Sequence, residues 1–157
     1  MYEREAIERV LAELGDRAGC VSGNLLCQVA CVKGIPSRDE IAGAPVCSGT
    51  DGEALGKAFP ALGYPEGELP AFVAAYACDE QQLRLIIEVL DPELVVAVDQ
   101  TAGRALAAAF KMPLLAAGAP RTHMGRRFLV VHDFQGSLAS METKRRAWAQ
   151  LKAARRS

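Results

Sequence analysis

Four apolar runs of strand length constrain the fold of this chain more than any other feature of its sequence. They occupy residues 25–32, 72–77, 94–98 and 128–132. A strand that is covered on one face alternates apolar and polar residues, whereas these runs are apolar almost throughout. We therefore expect strands that are buried on both faces, as in a parallel sheet between two layers of helices.

Stretches with helical patterns separate or flank these runs. Residues 3–14 have apolar side chains three and four positions apart, which is the spacing of an amphipathic helix. Further helices are predicted at residues 51–62, 80–90, 101–110 and 139–154, and a short strand at 114–117. We predict a single α/β domain over residues 1–157, with three layers and a mainly parallel central sheet of about four to five strands.

The ends of the predicted strands indicate where a ligand would bind. The carboxyl ends of parallel strands meet at one edge of the sheet, and ligands bind in the crevice outside that edge. The loops of interest therefore follow Val32, Ala77, Val98 and His132.

Charge is distributed unevenly along the chain, although the net charge is only −1. Residues 1–100 contain 7 Lys or Arg and 17 Asp or Glu, whereas residues 101–157 contain 11 and 2. Clustered cations bind nucleic acid by releasing its counterions, so the C-terminal part could contact DNA. Alternatively, these cations complement a helix dipole and the acidic half of this chain or of a partner chain.

The sequence lacks the patterns that indicate a membrane or a cofactor. No apolar run approaches the roughly 20 residues of a membrane-spanning helix, and residues 1–15 lack the apolar core of a signal peptide. The five cysteines include no C-x-x-C pair, which argues against a disulfide framework and a four-cysteine metal site. We expect a cytoplasmic protein with free thiols, no membrane partner, no metal and no cofactor.

The loop after the first predicted strand carries two short motifs. Residues 33–40 read Lys-Gly-Ile-Pro-Ser-Arg-Asp-Glu, and residues 43–48 read Gly-Ala-Pro-Val-Cys-Ser. They resemble the motifs G-E-A-P-G-x-x-E and G-R-P-F-V-G of the uracil-DNA glycosylase superfamily, in its small thermostable, iron–sulfur-type branch. The positions that keep the frame of these motifs are Pro36, Glu40, Gly43 and Pro45.

Two later segments extend the resemblance. Residues 90–99 are similar to the family strand L-R-P-x-x-I-V-A-L-G, and residues 128–138 are similar to the strand and H-P-S motif that end the family pattern. His132 matches the family His, while the Pro and Ser are not matched. The resemblance covers residues 25 to 151 approximately. It implies the fold of that superfamily and hydrolysis of a nucleobase–deoxyribose bond in DNA.

The resemblance also assigns candidate site residues, with departures from the family pattern. It implies that the substrate contacts Gly34, Ile35, Pro36, Ser37, Val46 and Cys47. Gly34 stands where the family has a water-positioning acid or amide, and Val46 stands where it has an aromatic platform. The family Asn that reads the uracil edge has no counterpart in residues 72–77, and only Cys78 lies near a cluster-ligand position, so we predict no iron–sulfur cluster.

The candidate catalytic residues are His132, Asp133 and Asp99. The resemblance implies that His132 donates a hydrogen bond to the departing anion, and either acid could replace the missing water-positioning group. The structural alternatives are a hydrogen-bonded histidine at a strand end, a solvated Asp133, and an Asp99 that caps the helix at residues 101–110.

The candidate DNA contacts come from the last third of the chain. In the family, the region of Ser137 and Leu138 inserts a wedge into the duplex, although a leucine at a helix start also packs commonly in a core. The basic candidates are Arg121, Arg126, Arg127, Lys144 and Arg145.

Three functions stay open from the sequence. The first is a divergent glycosylase of the base-excision repair type. The second is a catalytically silent module that binds nucleic acid or a nucleobase, which the missing acid, Asn and platform favour. The third is a small-molecule enzyme that uses Asp99, His132, Asp133 and the cysteines in a remodelled pocket.

Overall fold

The computed structural model of the chain describes residues 2–65 and 70–156. The strands in these ranges are β1 (Val21–Gly23), β2 (Val29–Lys33), β3 (Ala71–Ala74), β4 (Leu94–Ala97), β5 (Arg121–His123) and β6 (Arg126–Val130). The helices are α1 (Tyr2–Leu14), α2 (Arg38–Ile41), α3 (Thr50–Ala61), α4 (Glu80–Leu90), α5 (Gln100–Ala109), α6 (Phe134–Ser137) and α7 (Met141–Leu151). Short 3-10 helices cover Gly15–Cys20, Ala75–Ala77 and Lys152–Ala154.

The strands form one open, mixed sheet in the order β1-β3-β2-β4-β6-β5. The four central strands, β3, β2, β4 and β6, run parallel to one another. β1 pairs antiparallel with β3 at one side of the sheet, and β5 pairs antiparallel with β6 at the other. The parallel centre brings the carboxyl ends of β2, β4 and β6 to the same edge, where their loops meet.

Side chains of the central strands alternate between two apolar cores, one on each face of the sheet. In β4, Val95 and Ala97 belong to the core that α1, α4 and α5 cover, whereas Leu94 and Val96 belong to the core that α3 and α7 cover. All four side chains are completely buried. This alternation explains why the central strands are apolar on both faces.

Side-chain caps fix where several helices begin. The Asp79 carboxylate accepts a hydrogen bond from the Gln82 N–H at 2.8 Å, and the Gln82 side chain accepts one from the Asp79 N–H at 2.9 Å. This capping box starts α4. Three other helices also begin at a side chain whose oxygen accepts a hydrogen bond from a backbone N–H of the first turn. These caps are Asp99 for α5, Asp133 for α6 and Ser140 for α7.

The predicted α/β class, with helices on both faces of a mainly parallel sheet, is confirmed. The sheet has six strands rather than four or five, because β1 and β5 are three-residue edge strands with mixed polarity that give no apolar signal. The strand predicted at residues 114–117 is wrong, since this stretch is irregular and Leu114 is exposed. No described helix is both long and apolar enough to cross a membrane.

Two predicted strands are shorter than the apolar runs that indicated them. The run at residues 25–32 begins with a turn, in which the Asn24 side chain accepts a hydrogen bond from the Leu26 N–H at 3.0 Å, so β2 starts at Val29. The run at residues 72–77 leaves the sheet after Ala74 and continues as the 3-10 helix Ala75–Ala77. The apolar runs therefore extend beyond the buried strands, since Leu26 and Ala77 are exposed, and the local turn decides the strand boundary.

Candidate functional site

A crevice opens at the carboxyl edge of the sheet, where the loops after β2, β4 and β6 meet. Its volume is about 320 Å³. The residues that line it, and that define the carboxyl-edge crevice, are Lys33, Ile35, Pro36, Val98, Asp99, Asp133, Gln135 and Gly136. Three of the four loops predicted to carry the site therefore meet here. The fourth, after Ala77, contributes Cys78 to a different cavity.

Asp99 lines this crevice and is only 5% exposed. One carboxylate oxygen accepts a hydrogen bond from the Ala102 N–H at 2.7 Å and caps α5. The other oxygen accepts hydrogen bonds from the Gly34 and Ile35 N–H groups, both at 3.0 Å. Three backbone donors thus hold the carboxylate, which ties the loop after β2 to the first turn of α5. This is the capping alternative that the sequence left open for Asp99.

The backbone of Gly34 lies against the same turn of α5. A Cβ atom at this position would lie 2.8 Å from the Asp99 Oδ1 atom and in steric conflict with the Ala102 nitrogen. Glycine is therefore required for the close approach of the loop to the helix. A water-positioning side chain, which the family resemblance implies at this position, would not fit without a shift of α5.

Asp133 and Gln135 present polar atoms to the crevice from the loop after β6. Asp133 is exposed, and its Oδ1 atom accepts a hydrogen bond from the Gly136 N–H at 3.0 Å, which caps the one-turn helix α6. Within the described ranges, neither the Asp133 Oδ2 atom nor the exposed Gln135 carboxamide has a hydrogen-bond partner. These atoms are available to a ligand.

His132 is exposed and lines a second, smaller cavity of about 160 Å³. The other polar residues of this cavity include Thr143, Arg146 and Gln150 from α7. The His132 N–H donates a hydrogen bond to the Gln150 Oε1 atom at 2.9 Å, which fixes the backbone of the loop against α7. Asp133 lines both cavities, whereas His132 lines only the smaller one.

Lys33, at the end of β2, forms a buried ionic cluster with Glu40 and Asp51. The Lys33 Nζ atom lies 2.7 Å from Glu40 Oε1 and 2.6 Å from Asp51 Oδ2, and at most 6% of any of the three side chains is exposed. The remaining carboxylate oxygens accept backbone hydrogen bonds, from the Cys47 N–H at 2.6 Å and the Gly52 N–H at 2.9 Å. The cluster therefore holds the loop between α2 and α3 against β2.

The pKa values within this cluster favour the charged state of both Lys33 and Glu40. Burial alone would lower the pKa of Lys33, but hydrogen bonds to Asp51 and Glu40 outweigh it and raise that pKa. Burial alone would raise the pKa of Glu40, but hydrogen bonds from Lys33 and from the Ser37 and Cys47 backbones lower it. An ammonium between carboxylates is thus compensated inside the protein.

The same cluster contains a set of potential metal ligands. Ligand atoms of Glu40, Cys47 and Asp51 lie within 4.8 Å of one another. However, the Lys33 ammonium already bonds both carboxylates, and burial raises the pKa of the Cys47 thiol well above its usual range. A cation would have to displace a buried ammonium and ionise this thiol, so the group fits an internal ion cluster better than a metal centre.

The predicted substrate contacts after β2 are divided between the crevice and the loop framework. Ile35 and Pro36 line the crevice, and Gly34 borders it through its backbone. Ser37 instead caps α2, where its Oγ atom accepts a hydrogen bond from the Glu40 N–H at 3.3 Å.

The predicted contacts Val46 and Cys47 lie away from the crevice. Each is 4% exposed and belongs to the core that α3 and α7 cover. The Val46 carbonyl accepts a hydrogen bond from the Ser22 hydroxyl at 2.6 Å. Cys47 borders a separate cavity of about 570 Å³, beside Ser22 and Phe72 at the β1–β3 side of the sheet.

The basic candidates for DNA contact do not form one surface. Arg126 and Arg127 begin β6 and therefore lie at the opposite edge of the sheet from the crevice. Arg126 donates to the Pro92 carbonyl at 2.8 Å and pairs with Asp91 at 2.8 Å, while Arg127 donates to the Tyr64 hydroxyl at 2.8 Å. These arginines serve contacts within the chain.

The remaining DNA candidates lie in β5, beside those two arginines, and in the segment from α6 to α7. Lys144 and Arg145 are exposed in the first half of α7, and Arg121 is exposed in the edge strand β5. Ser137 is buried and donates to the Phe134 carbonyl at 2.5 Å, and Leu138 is half-buried against the core. The structure therefore gives Ser137 and Leu138 packing contacts.

Two polar side chains of the crevice, those of Lys33 and Gln135, were not singled out from the sequence. Lys33 directly follows an apolar run, and strand alternation places its side chain on the same sheet face as that of Cys31. A lysine buried on that face needs an acidic partner, which was the signal available in the sequence. Gln135 gave no such signal, because a single glutamine in a short loop has many possible environments. Its position became apparent only from the meeting of three loops.

Comparison with known proteins adds no assignment to this geometry. The chain matches no protein-family profile and no curated protein sequence.

Proposed function

We propose that this chain is a uracil-DNA glycosylase-like domain that binds a nucleobase or nucleoside in the carboxyl-edge crevice without cleaving it. The observation that carries the proposal is the set of hydrogen bonds made by the Asp99 carboxylate. Its carboxylate is occupied by three backbone donors, and the neighbouring Gly34 has no room for a side chain. The crevice can therefore hold a ligand, but neither Asp99 nor position 34 can supply an acid that activates water. Both positions instead hold the loop after β2 against α5.

The size and the chemistry of the crevice support a small planar ligand with polar edges. Its volume of about 320 Å³ lies at the lower end of the range for small-ligand sites. Ile35, Pro36 and Val98 offer apolar contacts, whereas Asp133 and Gln135 offer free acceptors and an amide donor. This combination of an apolar surface with a few convergent polar groups suits the face and the edge of a nucleobase.

The distribution of cations argues for a small ligand over a DNA duplex. Phosphate contacts supply most of the affinity of DNA-binding proteins, and they require cations on one continuous surface. Here Arg126 and Arg127 lie at the edge opposite the crevice. Salt-titrated binding to single- and double-stranded oligonucleotides is expected to give weak association. Tight binding with a steep salt slope would contradict a small-ligand site.

Calorimetric titration with uracil, hypoxanthine, xanthine and their nucleosides tests the proposal. We expect at least one of these ligands to bind, and we expect Gln135→Ala to weaken that binding by about 5-fold or more through loss of one hydrogen-bonded edge. His132→Ala is the matched control, because His132 is exposed near the crevice but does not line it. Equal affinities of the wild type and Gln135→Ala would rule out this site.

A second candidate function is hydrolysis of the nucleobase bond, and one observation favours it. Asp133 and His132 are adjacent, and Asp133, which has a free carboxylate oxygen, lines both cavities. A carboxylate there could position water while the imidazole assists the departing base. Oligonucleotides with uracil, hypoxanthine or xanthine decide between the two functions. Cleavage that both Asp133→Asn and His132→Ala abolish would replace the binding proposal with this one.

A further inference from the structure

Two half-buried thiols that do not line the crevice meet beside the antiparallel pair β1–β3. Continuing the β1–β3 register by one residue places Cys20 opposite Ala74. The Cys78 thiol donates a hydrogen bond to the Ala74 carbonyl at 3.1 Å, and the Cys20 thiol contacts the Ala77 carbonyl at 3.9 Å. Both sulfur atoms therefore converge on the same 3-10 turn, although they belong to distant parts of the sequence.

The electrostatics of Cys78 agree with this proximity. Burial, followed by the charge and the hydrogen bond of the Cys20 thiol, raises the pKa of Cys78 to about 12. Cys78 also lines a surface cavity of about 660 Å³, together with Asp79 and Arg104, through which a small oxidant can reach it. Cys31 is completely buried, and Cys47 is only 4% exposed although it borders a cavity.

We propose that Cys20 and Cys78 form a redox modification site, which a peroxide oxidises to an intramolecular disulfide. In the first step the Cys20 sulfur attacks the peroxide as a thiolate, because the raised pKa of Cys78 keeps that thiol protonated. An S–O bond forms, the O–O bond breaks, and the leaving oxygen takes up a proton and departs as water or an alcohol. In the second step the other thiol attacks the sulfenic acid, the S–S bond forms, and water leaves. Overall, the two thiols lose two protons and two electrons, and the peroxide gains both.

The disulfide would join the segment before β1 to the turn after β3. The closed loop contains β2 and the buried ionic cluster, so the bond restricts the unfolded chain over a large part of its length. We expect the oxidised protein to melt roughly 5–10 °C higher than the reduced protein. The carboxyl-edge crevice lies outside this contact, so the inference stands apart from the proposed function.

Peptide mapping after oxidation tests the site. The folded full chain is treated with hydrogen peroxide, alkylated under denaturing conditions and digested with trypsin without reduction. The expected product joins the peptide of residues 18–33, which contains Cys20, Cys27 and Cys31, to the peptide of residues 58–84, which contains Cys78. Its mass is that of both peptides, with Cys27 and Cys31 alkylated, less two hydrogen atoms, and a reductant separates them.

Single variants identify the sulfur atoms in that product. The cross-link is expected to persist in Cys27→Ser and to disappear in Cys20→Ser and in Cys78→Ser. A cross-link that Cys27→Ser abolishes would overturn the assignment. Disulfide dimers on a non-reducing gel, or Cys20 and Cys78 recovered only as free thiols or separate sulfinic acids, would overturn the proposal.

Discussion

The buried ionic cluster and the loop of residues 132–135 both border the carboxyl-edge crevice, yet they differ in whether their polar atoms have partners. In the cluster, Lys33 contacts two carboxylates, and backbone donors saturate the remaining oxygens. In the loop, Asp133 and Gln135 keep atoms that have no partner in the described chain. Polar groups near a crevice are thus not equivalent. Those with complete sets of partners build the framework, and those with free atoms can meet a ligand.

The largest expected effect comes from removing the cation of the cluster. Lys33→Met would leave two buried carboxylates without their counter-charge, so we expect a loss of about 3–5 kcal/mol in the free energy of unfolding. Lys57→Met is the matched control, because Lys57 forms only an exposed pair with Glu53 and should cost less than about 1 kcal/mol. Urea denaturation measures both. Equal stabilities would contradict a structural role of the cluster.

The next effect separates the two acids that cap helices at the crevice. Asp99→Ala removes the acceptor of three backbone hydrogen bonds at a buried position, and we expect a loss of about 2–4 kcal/mol. Asp133→Ala removes one exposed cap and should cost about 1 kcal/mol or less. The same denaturation measurement compares them. A larger loss for Asp133→Ala would reverse the roles assigned to the two acids.

The pH dependence of stability provides a third test of the cluster. The pKa of Glu40 is lowered by folding, so its stabilisation is present above its unfolded pKa of about 4.3 and is lost as the pH falls through the folded pKa. The pKa of Lys33 is raised, so its stabilisation is present below its unfolded pKa of about 10.4 and is lost as the pH rises through the folded pKa.

Denaturation midpoints from pH 3 to 11 would follow these two losses. Glu40→Gln should flatten the acid side of the curve relative to the wild type, because the titrating group is removed. Glu53→Gln is the control, since Glu53 is exposed and no buried cation depends on it. An acid limb that is the same in Glu40→Gln and in the wild type would assign the pH dependence to other carboxylates.

The smallest effect on stability, but the largest on binding, is expected at Gln135. Its side chain is exposed and has no partner in the described residues, so Gln135→Ala should change the free energy of unfolding by less than about 0.5 kcal/mol. The same variant should weaken nucleobase binding, as proposed above. Fluorescence of Trp148 follows unfolding, and calorimetry follows binding. A variant that loses stability and binding together would place Gln135 in the framework.

Much of the fold could be predicted because apolar patterns report burial directly. The central strands are buried on both faces, and α4 has the bounds predicted for it, residues 80–90. The edge strands β1 and β5 could not be predicted in this way, because three mixed-polarity residues at a sheet edge carry no such pattern. The boundary of β2 depends on a single turn at Asn24, which apolarity does not encode.

The site was less predictable than the fold, because its residues meet only through the topology. The strand ends predicted the edge of the sheet at which the crevice lies and three of the loops that line it. They could not show that Asp99 is occupied by backbone donors from a distant loop, or that His132 and Ile35 border different cavities. Such contacts depend on tertiary distances that one sequence does not contain. The charge asymmetry likewise concealed that Arg126 and Lys144 lie apart.

The most direct test is a titration of the isotope-labelled chain with a nucleoside, followed by nuclear magnetic resonance. Binding in the crevice predicts concentration-dependent shifts of the backbone amides of Ile35, Asp133 and Gln135, with the nucleoside signals intact over time. Unchanged amide signals at millimolar nucleoside, or the appearance of free base in the same sample, would contradict a crevice that binds without cleaving.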